Sequence, residues 1–515
     1  MPHQISTKRR ALIIGAGASG LAAIQQALEA GLEPVCIEAR STVGGTWHFD
    51  ETPGLCEVSF DSEGSAHLRV PGEGKVGVPP APNPIYHGLR TNTPTPLMQY
   101  RGGPIFPTSV GLFCRHEDVF AYLEEFAEPL LPYIRFNTRV QSLRHTLPSD
   151  PPAEIPPSDN LGPGREGPPE RRRWIAELGT TQPGASDVYS EQFDAVFVAN
   201  GKYTEAYIPR IHGLATFSGS LLHSRWYRSP EQFKNKDVLI VGSSASGSDI
   251  AREAGQYRAT LRASGVAEAD LPRFYQSIRT PKPFPSAGCE VPSSPNAAEV
   301  TVVTQIKSIS GEAITFLDGK TINDVDIIMF ATGFIYSYPF ADATSEPFKS
   351  FPLTRPLTDT AAASSLEHQP SDENVAGMRV HNLDDRLLFY LPDPTLVVLT
   401  APYLVIPFPL AQIQARLAAR HFADSPALPA PLKFKPNPAL RGEDGSEDGA
   451  PETRQAVSWG EPFHSDMRDR MLRETGDVVD DGTASKGGQV WGLTPQADRD
   501  LVLGLPSLRK HLLGY

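Results

Sequence analysis

A short apolar run that turns into Gly-x-Gly-x-x-Gly constrains this chain more than any other feature, and it occurs once in full and once altered. Near the N-terminus Ala11, Leu12, Ile13 and Ile14 lead into Gly15-Ala16-Gly17-Ala18-Ser19-Gly20. Leu21, Ile24 and Leu28 then recur at helical spacing, with Gly31 as the expected stop. A second strand-like run, from Pro34 to Ile37, ends in Glu38, eighteen positions after Gly20. Strand, helix and acid together predict a βαβ unit that binds a dinucleotide. In such a unit Gly15 permits the tight turn, Gly17 lets backbone approach a pyrophosphate, and Gly20 lets helix pack on strand. Ser19 lies in the same turn, and Glu38 accepts from a ribose hydroxyl. With 43 glycines in 515 residues, the bare glycine pattern arises by chance about 0.3 times per chain, so the flanking elements and the acid carry the assignment.

The second copy begins where Val238, Leu239, Ile240 and Val241 enter Gly242-Ser243-Ser244-Ala245-Ser246-Gly247, followed by SDIAREAG, which reads as a short helix. Ser244 replaces the middle glycine but is small enough to approach a phosphate beside Gly242, Ser246 and Gly247. No acid matches Glu38. The next strand-like piece, residues 273–279, ends in Arg279, and a guanidinium there suits a 2′-phosphate, which favours NADPH over NADH.

Composition excludes several classes. Lys and Arg number 47 against 60 Asp and Glu, a formal charge of −13, so the chain lacks the positive field that draws a protein to nucleic acid. Cys36, Cys56, Cys114 and Cys289 form no C-x-x-C, which argues against a disulfide scaffold, a zinc site or any other metal centre, and a dithiol redox pair. A reducing, cytoplasmic location is expected, and MPHQISTKRR carries no secretory pattern. The 50 prolines cluster: eight fall in residues 147–173, read as a flexible surface insertion. A polar loop is expected at 438–453 and a third polar stretch at 358–373. Residues 387–411 have membrane-spanning length but contain Asp393 and five prolines, so no transmembrane segment is expected and buried strand and loop are. The length admits two to four domains.

Between the two glycine motifs FSGSLLHSRWY places Phe217, Gly219, His223 and Tyr227 in the spacing F-x-G-x-x-x-H-x-x-x-Y, a match expected by chance in roughly one chain in several hundred. This resembles the fingerprint of the class B, N- and S-oxygenating flavin-containing monooxygenases. The related Baeyer–Villiger enzymes usually end the motif with Trp followed by Pro or Asp, whereas here Tyr227 precedes Arg228. Gly44-Gly45-Thr46-Trp47, Thr91-Asn92, FDAVFVANGKY, MFATGF and Gln414-Ala415-Arg416 are similar to further motifs of the family. Asn200 stands where the first link usually has Thr, and residues 255–272 lengthen the nicotinamide half.

The resemblance implies an α/β fold of two Rossmann-like domains of the three-layer ββα type. A discontinuous FAD-binding domain would span 1–203 and 334–515, with an NADPH-binding domain, 204–333, inserted. It implies FAD contacts at Gly45, Thr46, Trp47, Thr91, Asn92 and Gln414, and formation of a C4a-(hydro)peroxyflavin that oxygenates a nucleophilic sulfur or nitrogen on a small molecule. N,N-dimethylaniline and thiols are the reference substrates, with O₂ as co-substrate. Asn92 is the implied catalytic residue, while Phe217, Gly219, His223 and Tyr227 position and pack. Arg225 and Arg228 face either phosphate or solvent. Baeyer–Villiger oxygenation of a ketone and a catalytically inactive nucleotide-binding protein are the alternatives, and a homo-oligomer is left open.

Overall fold

Every residue of the first strand after Arg10 is buried, because the strand is covered on both faces. The computed structural model describes residues 8–62, 64–150, 173–279, 299–354, 377–441, 457–478 and 491–513. Within them β1 (Arg10–Ile14) and β2 (Glu33–Ile37) pair in parallel, Leu12 opposite Val35, and helix α1 (Ala18–Glu29) makes the crossover. Leu396–Val398, Ala195–Val198, β1, β2 and Ile134–Arg135 line up in that order as one parallel sheet. Ala11 and Ile13 face α1 and a helix of the C-terminal third, here called α4 (Pro407–Phe422). Leu12 and Ile14 face the antiparallel sheet of Thr138–His145, Trp174–Thr180 and Val188–Phe193. Burial on both faces is why the run reads as continuously apolar rather than alternating.

The second unit repeats this plan. Ser220–His223, Ile327–Phe330, Val238–Val241, Phe274–Ser277 and Val300–Val303 form a parallel sheet in that order. Its central strand runs into α3 (Ala245–Ala263). Val238 and Ile240 pack on Ile250, Ala251 and Ala254 of that helix. Leu239 packs on Ile306, Ile309, Ile314 and Phe316 of a second antiparallel sheet. Both units are therefore three-layered, with helix, parallel sheet and antiparallel sheet stacked about apolar interfaces.

The remaining helices are α2 (His116–Ala127), α5 (Phe463–Glu474), α6 (Gln496–Leu503) and α7 (Leu505–Leu513). Two expectations change. The helix expected to be short runs for 19 residues, so the added segment 255–272 begins as about two and a half further turns of α3. Arg258 and Arg262 on those turns pair with Glu268 and Glu299, which offsets the modest cost of Gly255 in a helix. Residues 387–411, expected as strand and loop, contain the strand Leu396–Val398 and then start α4 at Pro407, since proline is tolerated in a helix's first turn. Most of the insertion 147–173, the polar loop beyond 441, the stretch 358–373 and Cys289 lie outside the described residues. Among the described residues no helix is long and apolar enough to cross a membrane.

Candidate cofactor and active site

The two glycine turns are built alike at their outer glycines. Gly15 has φ 101°, and a Cβ there would lie 2.8 Å from the Ala199 carbonyl oxygen; Gly242 has φ 120° and would meet the Ala331 carbonyl oxygen at 2.5 Å. A Cβ on Gly20 would lie 1.8 Å from the Gly15 carbonyl oxygen, and one on Gly247 2.4 Å from that of Gly242. The middle position is different. Gly17 (φ −76°, ψ −173°) and Ser244 (φ −81°, ψ −171°) share an extended conformation open to any residue. Serine is thus accommodated in the second turn without strain. In the first, Gly17 lies against Gly45, whose own Cβ would fall 2.8 Å from the Gly17 Cα, so the Gly44-Gly45-Thr46-Trp47 loop rests on the first turn backbone to backbone.

No side chain caps the first turn of α1 or of α3, even though Ser244 is an N-cap serine. Their leading N–H groups are therefore left for an anion. Glu38, buried at the end of β2, accepts from the Ala16 amide at 2.6 Å and the Arg40 amide at 2.8 Å. Burial pushes its carboxyl up from the usual range, and those two amides oppose the rise. Each oxygen keeps a lone pair, so a ribose hydroxyl can still donate to it. Ser19 Oγ meets Thr400 Oγ1 at 3.0 Å, and the Thr400 amide donates to Gln414 Oε1 at 2.8 Å. Gln414 Nε2 is buried with no acceptor, an orphan donor facing no protein partner. Uncapped helix, steric cradle, ribose acid and orphan amide together fit FAD at the first turn, and the equivalent uncapped turn at Ser244 and Ser246 fits a second dinucleotide. Trp47, half-buried beside Thr46, packs edge-on against Phe408 at 6.3 Å.

The fingerprint residues join the two units. His223 is fully buried: its Nε2 lies 2.9 Å from the Gly333 carbonyl oxygen and its Nδ1 accepts from the Arg225 amide at 3.1 Å. With Nε2 donating and Nδ1 accepting, the ring ties the fingerprint strand to the Gly333 turn. A Cβ on Gly219 would stand 2.5 Å from the Asp326 carbonyl oxygen and 2.7 Å from the Phe217 ring, so glycine is required there by close approach. The buried Tyr227 hydroxyl donates to Glu253 Oε2 at 2.6 Å, and Tyr86, its ring 5.4 Å away, donates to Asp249 Oδ2 at 2.5 Å. Burial pushes both carboxyls up. Neither Arg225 nor Arg228 faces solvent or an open phosphate site. Arg225 binds Glu73 at 2.7 Å, and Arg228 spends its donors on the carbonyls of Asp50, Asn83, Arg225 and Tyr227. Both are buried, so each guanidinium needs these partners: a carboxylate for Arg225 and carbonyls for Arg228. Tyr86, Asp249 and Glu253 escaped the sequence reading, because a buried carboxylate in a helix has no local signature.

Thr91 is buried, its amide donating to the Cys114 carbonyl at 2.8 Å, and the side chain of Asn92 is exposed. Asn92 sits on a stretch held at both ends: Tyr86 is bonded to α3, and the Tyr100 hydroxyl donates to the Ala18 carbonyl at 2.6 Å in the first turn of α1. From α7, Arg509 Nε donates to the Asn92 backbone carbonyl at 2.7 Å, which leaves the Asn92 amide side chain unanchored by that contact. Arg279 is exposed two residues past the end of Phe274–Ser277, on the carboxyl edge where the neighbouring central strand enters its glycine turn. Among the described residues no group of three or more His, Cys, Asp or Glu is placed to hold a metal ion.

The family model for flavin-binding monooxygenase-like proteins matches residues 8–60, 177–266 and 283–349. The flavin-containing monooxygenase iboF of Amanita muscaria is 30% identical over 434 residues, 75% of this chain and 74% of that protein. A dimethylaniline monooxygenase [N-oxide-forming] 4 of Mus musculus is 28% identical over 392 residues, 66% of this chain and 61% of its own length. The solved structure of S-allyl-L-cysteine S-oxygenase from Allium sativum shares the fold with a TM-score of 0.67 at 22% identity, covering 98% of this chain and 94% of that one.

Proposed function

The chain belongs to the flavin-containing monooxygenase family, and from that premise we propose that it transfers oxygen to a nucleophilic sulfur or nitrogen on a small molecule. As a member of the family it is an FAD- and NADPH-dependent monooxygenase. The observation that carries the reading is the stretch from Tyr86 to Tyr100, bonded to Asp249 of α3 at one end and to the first turn of α1 at the other, with Asn92 between the anchors. The motif ending in Tyr227-Arg228, and the N-oxide-forming activity named for the mouse relative, support a soft nucleophile over a ketone.

Bound here, FAD would supply the redox chemistry through which NADPH and O₂ deliver one oxygen atom to the substrate and the other to water. The N–H groups opening α1 hold the FAD pyrophosphate, Glu38 orients its ribose, and Gln414 supplies a buried amide donor. The turn at Gly242, Ser244, Ser246 and Gly247 holds the NADPH pyrophosphate. Asn92 offers a donor and an acceptor with no titratable proton to spill into the site, while His223 and Tyr227 keep the units in register. We take residues 1–203 and 334–515 as the FAD-binding part and 204–333 as the NADPH-binding part, in a cytoplasmic enzyme whose described cysteines Cys36, Cys56 and Cys114 are free thiols.

NADPH consumption by holoenzyme across thiols, thioethers, amines and ketones, with peroxide measured in parallel, tests the reading. Sulfoxide, N-oxide or disulfide product in step with NADPH is expected. Ester or lactone formation from ketones alone, or no product with any nucleophile, would overturn it. Arg279→Ala is expected to raise the KM for NADPH about tenfold with little change for NADH, the loss of one charge-assisted phosphate contact. Equal changes for both cofactors would place the 2′-phosphate elsewhere.

A further inference from the structure

A strained turn lies beside the first helix, and both chain crossings between the two units grip it. Thr400 has φ 52°, a left-handed conformation that a β-branched residue adopts only when its surroundings impose it. Its amide is taken by Gln414 and its hydroxyl by Ser19, which connects the turn directly to the opening of α1. Its carbonyl accepts from Lys202 Nζ at 3.0 Å. The same ammonium donates to the Ala401 carbonyl at 3.2 Å and the Pro402 carbonyl at 2.5 Å, and stands 4.3 Å from the centre of the Tyr403 ring. Lys202 lies on the first crossing, just after Ala195–Val198. From the second crossing the Tyr336 hydroxyl also donates to the Ala401 carbonyl, and Asn200 Nδ2 reaches back to the Ser337 carbonyl at 3.0 Å. A small cavity separates these groups, lined by Asn200, Lys202, Tyr336, Tyr338 and Thr400.

We infer that Lys202 is a positioning residue, clamping turn 400–402 in the one geometry that lets Thr400, Ser19 and Gln414 meet the flavin cofactor. The inference rests on the assignment of α1 to FAD. Three carbonyls converge on a group with three N–H bonds, so the ammonium satisfies all of them, whereas any aliphatic replacement leaves them to find other donors. The residue as a whole is half-buried, but its ammonium end is desolvated enough to push its pKa down to about 7. The three carbonyls work against that fall, because a neutral amine could serve only two. The positive φ at Thr400 explains why a clamp is needed: without the pull on its carbonyl, the residue relaxes toward ordinary extended or helical backbone and withdraws its amide and hydroxyl.

Titration of FAD into the deflavinated full-length chain, followed by quenching of flavin fluorescence, tests this. Lys202→Met is expected to weaken FAD about 30-fold, and Lys202→Gln, which keeps two N–H donors on a shorter arm, about tenfold. Glycine adopts φ 52° unaided, so in a Thr400→Gly background either Lys202 substitution should cost no more than about threefold. FAD affinity within about twofold of wild type in both Lys202 variants, or an undiminished penalty in the Thr400→Gly background, would overturn the clamp. If Lys202→Met does not fold, Lys202→Gln carries the same cycle. A wild-type chain that takes up no FAD would instead sink the flavin assignment of α1, so the two failures are distinct.

Discussion

Gly20→Ala is expected to yield a chain that purifies colourless, whereas Gly247→Ala keeps its flavin and loses NADPH. The added Cβ at position 20 would lie 1.8 Å from the Gly15 carbonyl oxygen. No side-chain rotation relieves that contact, because both partners are backbone. Either α1 lifts off the strand or the turn opens, and both outcomes destroy the row of N–H groups that meets the pyrophosphate. The cost is more than about 3 kcal/mol, in the range reserved for forced backbone strain and overpacking. At position 247 the equivalent contact is 2.4 Å from the Gly242 carbonyl oxygen, slightly less severe and confined to the second unit. Flavin absorbance per mole of protein and the KM for NADPH, measured on both variants, separate the effects. Loss of flavin in Gly247→Ala, or its retention in Gly20→Ala, would contradict the assignment of FAD to the first turn and NADPH to the second.

Asn92→Ala should keep its flavin and its rate of NADPH oxidation within about twofold while product per NADPH falls at least tenfold, the difference appearing as H₂O₂. The expectation follows from where the residue sits. Its neighbours are held by Tyr86 at α3 and by Tyr100 at α1, and its own carbonyl is held by Arg509, so removing the amide leaves the backbone path intact. What disappears is a neutral donor and acceptor. Asn92→Asp would keep the shape but bring a negative charge and a titratable proton, and should uncouple at least as strongly. Unchanged coupling in Asn92→Ala would remove the residue from the reaction.

How much of this was legible in the sequence follows from the range of each contact. The glycine turns were legible because one of their steric conflicts is local: the third glycine clashes with the first, five residues earlier, so spacing records that constraint, while the clashes of Gly15 with Ala199 and Gly242 with Ala331 are long-range. The fingerprint was legible as a pattern, yet its physical content was not. His223 finds its partner in the Gly333 carbonyl and Tyr227 in Glu253, both far along the chain or on another element. Arg225 and Arg228 were left between phosphate and solvent, and folding buried the first against the Glu73 carboxylate and the second among carbonyls instead. Ser244, a departure from the motif on paper, proved to occupy backbone that never needed glycine.

By itself, then, the sequence determined that two crossover units exist, where each turns, and which acid closes the first. A continuous apolar run and a third glycine forced against the first within five residues are written locally, even though distant elements cover the strand and close on Gly15 and Gly242. Only the tertiary structure decided how the units share one site. Lys202 and the carbonyl of Thr400 are 198 residues apart, and Tyr86 and Asp249 163. Those bonds end on backbone carbonyls or buried carboxylates, groups that every sequence contains and only a fold brings together.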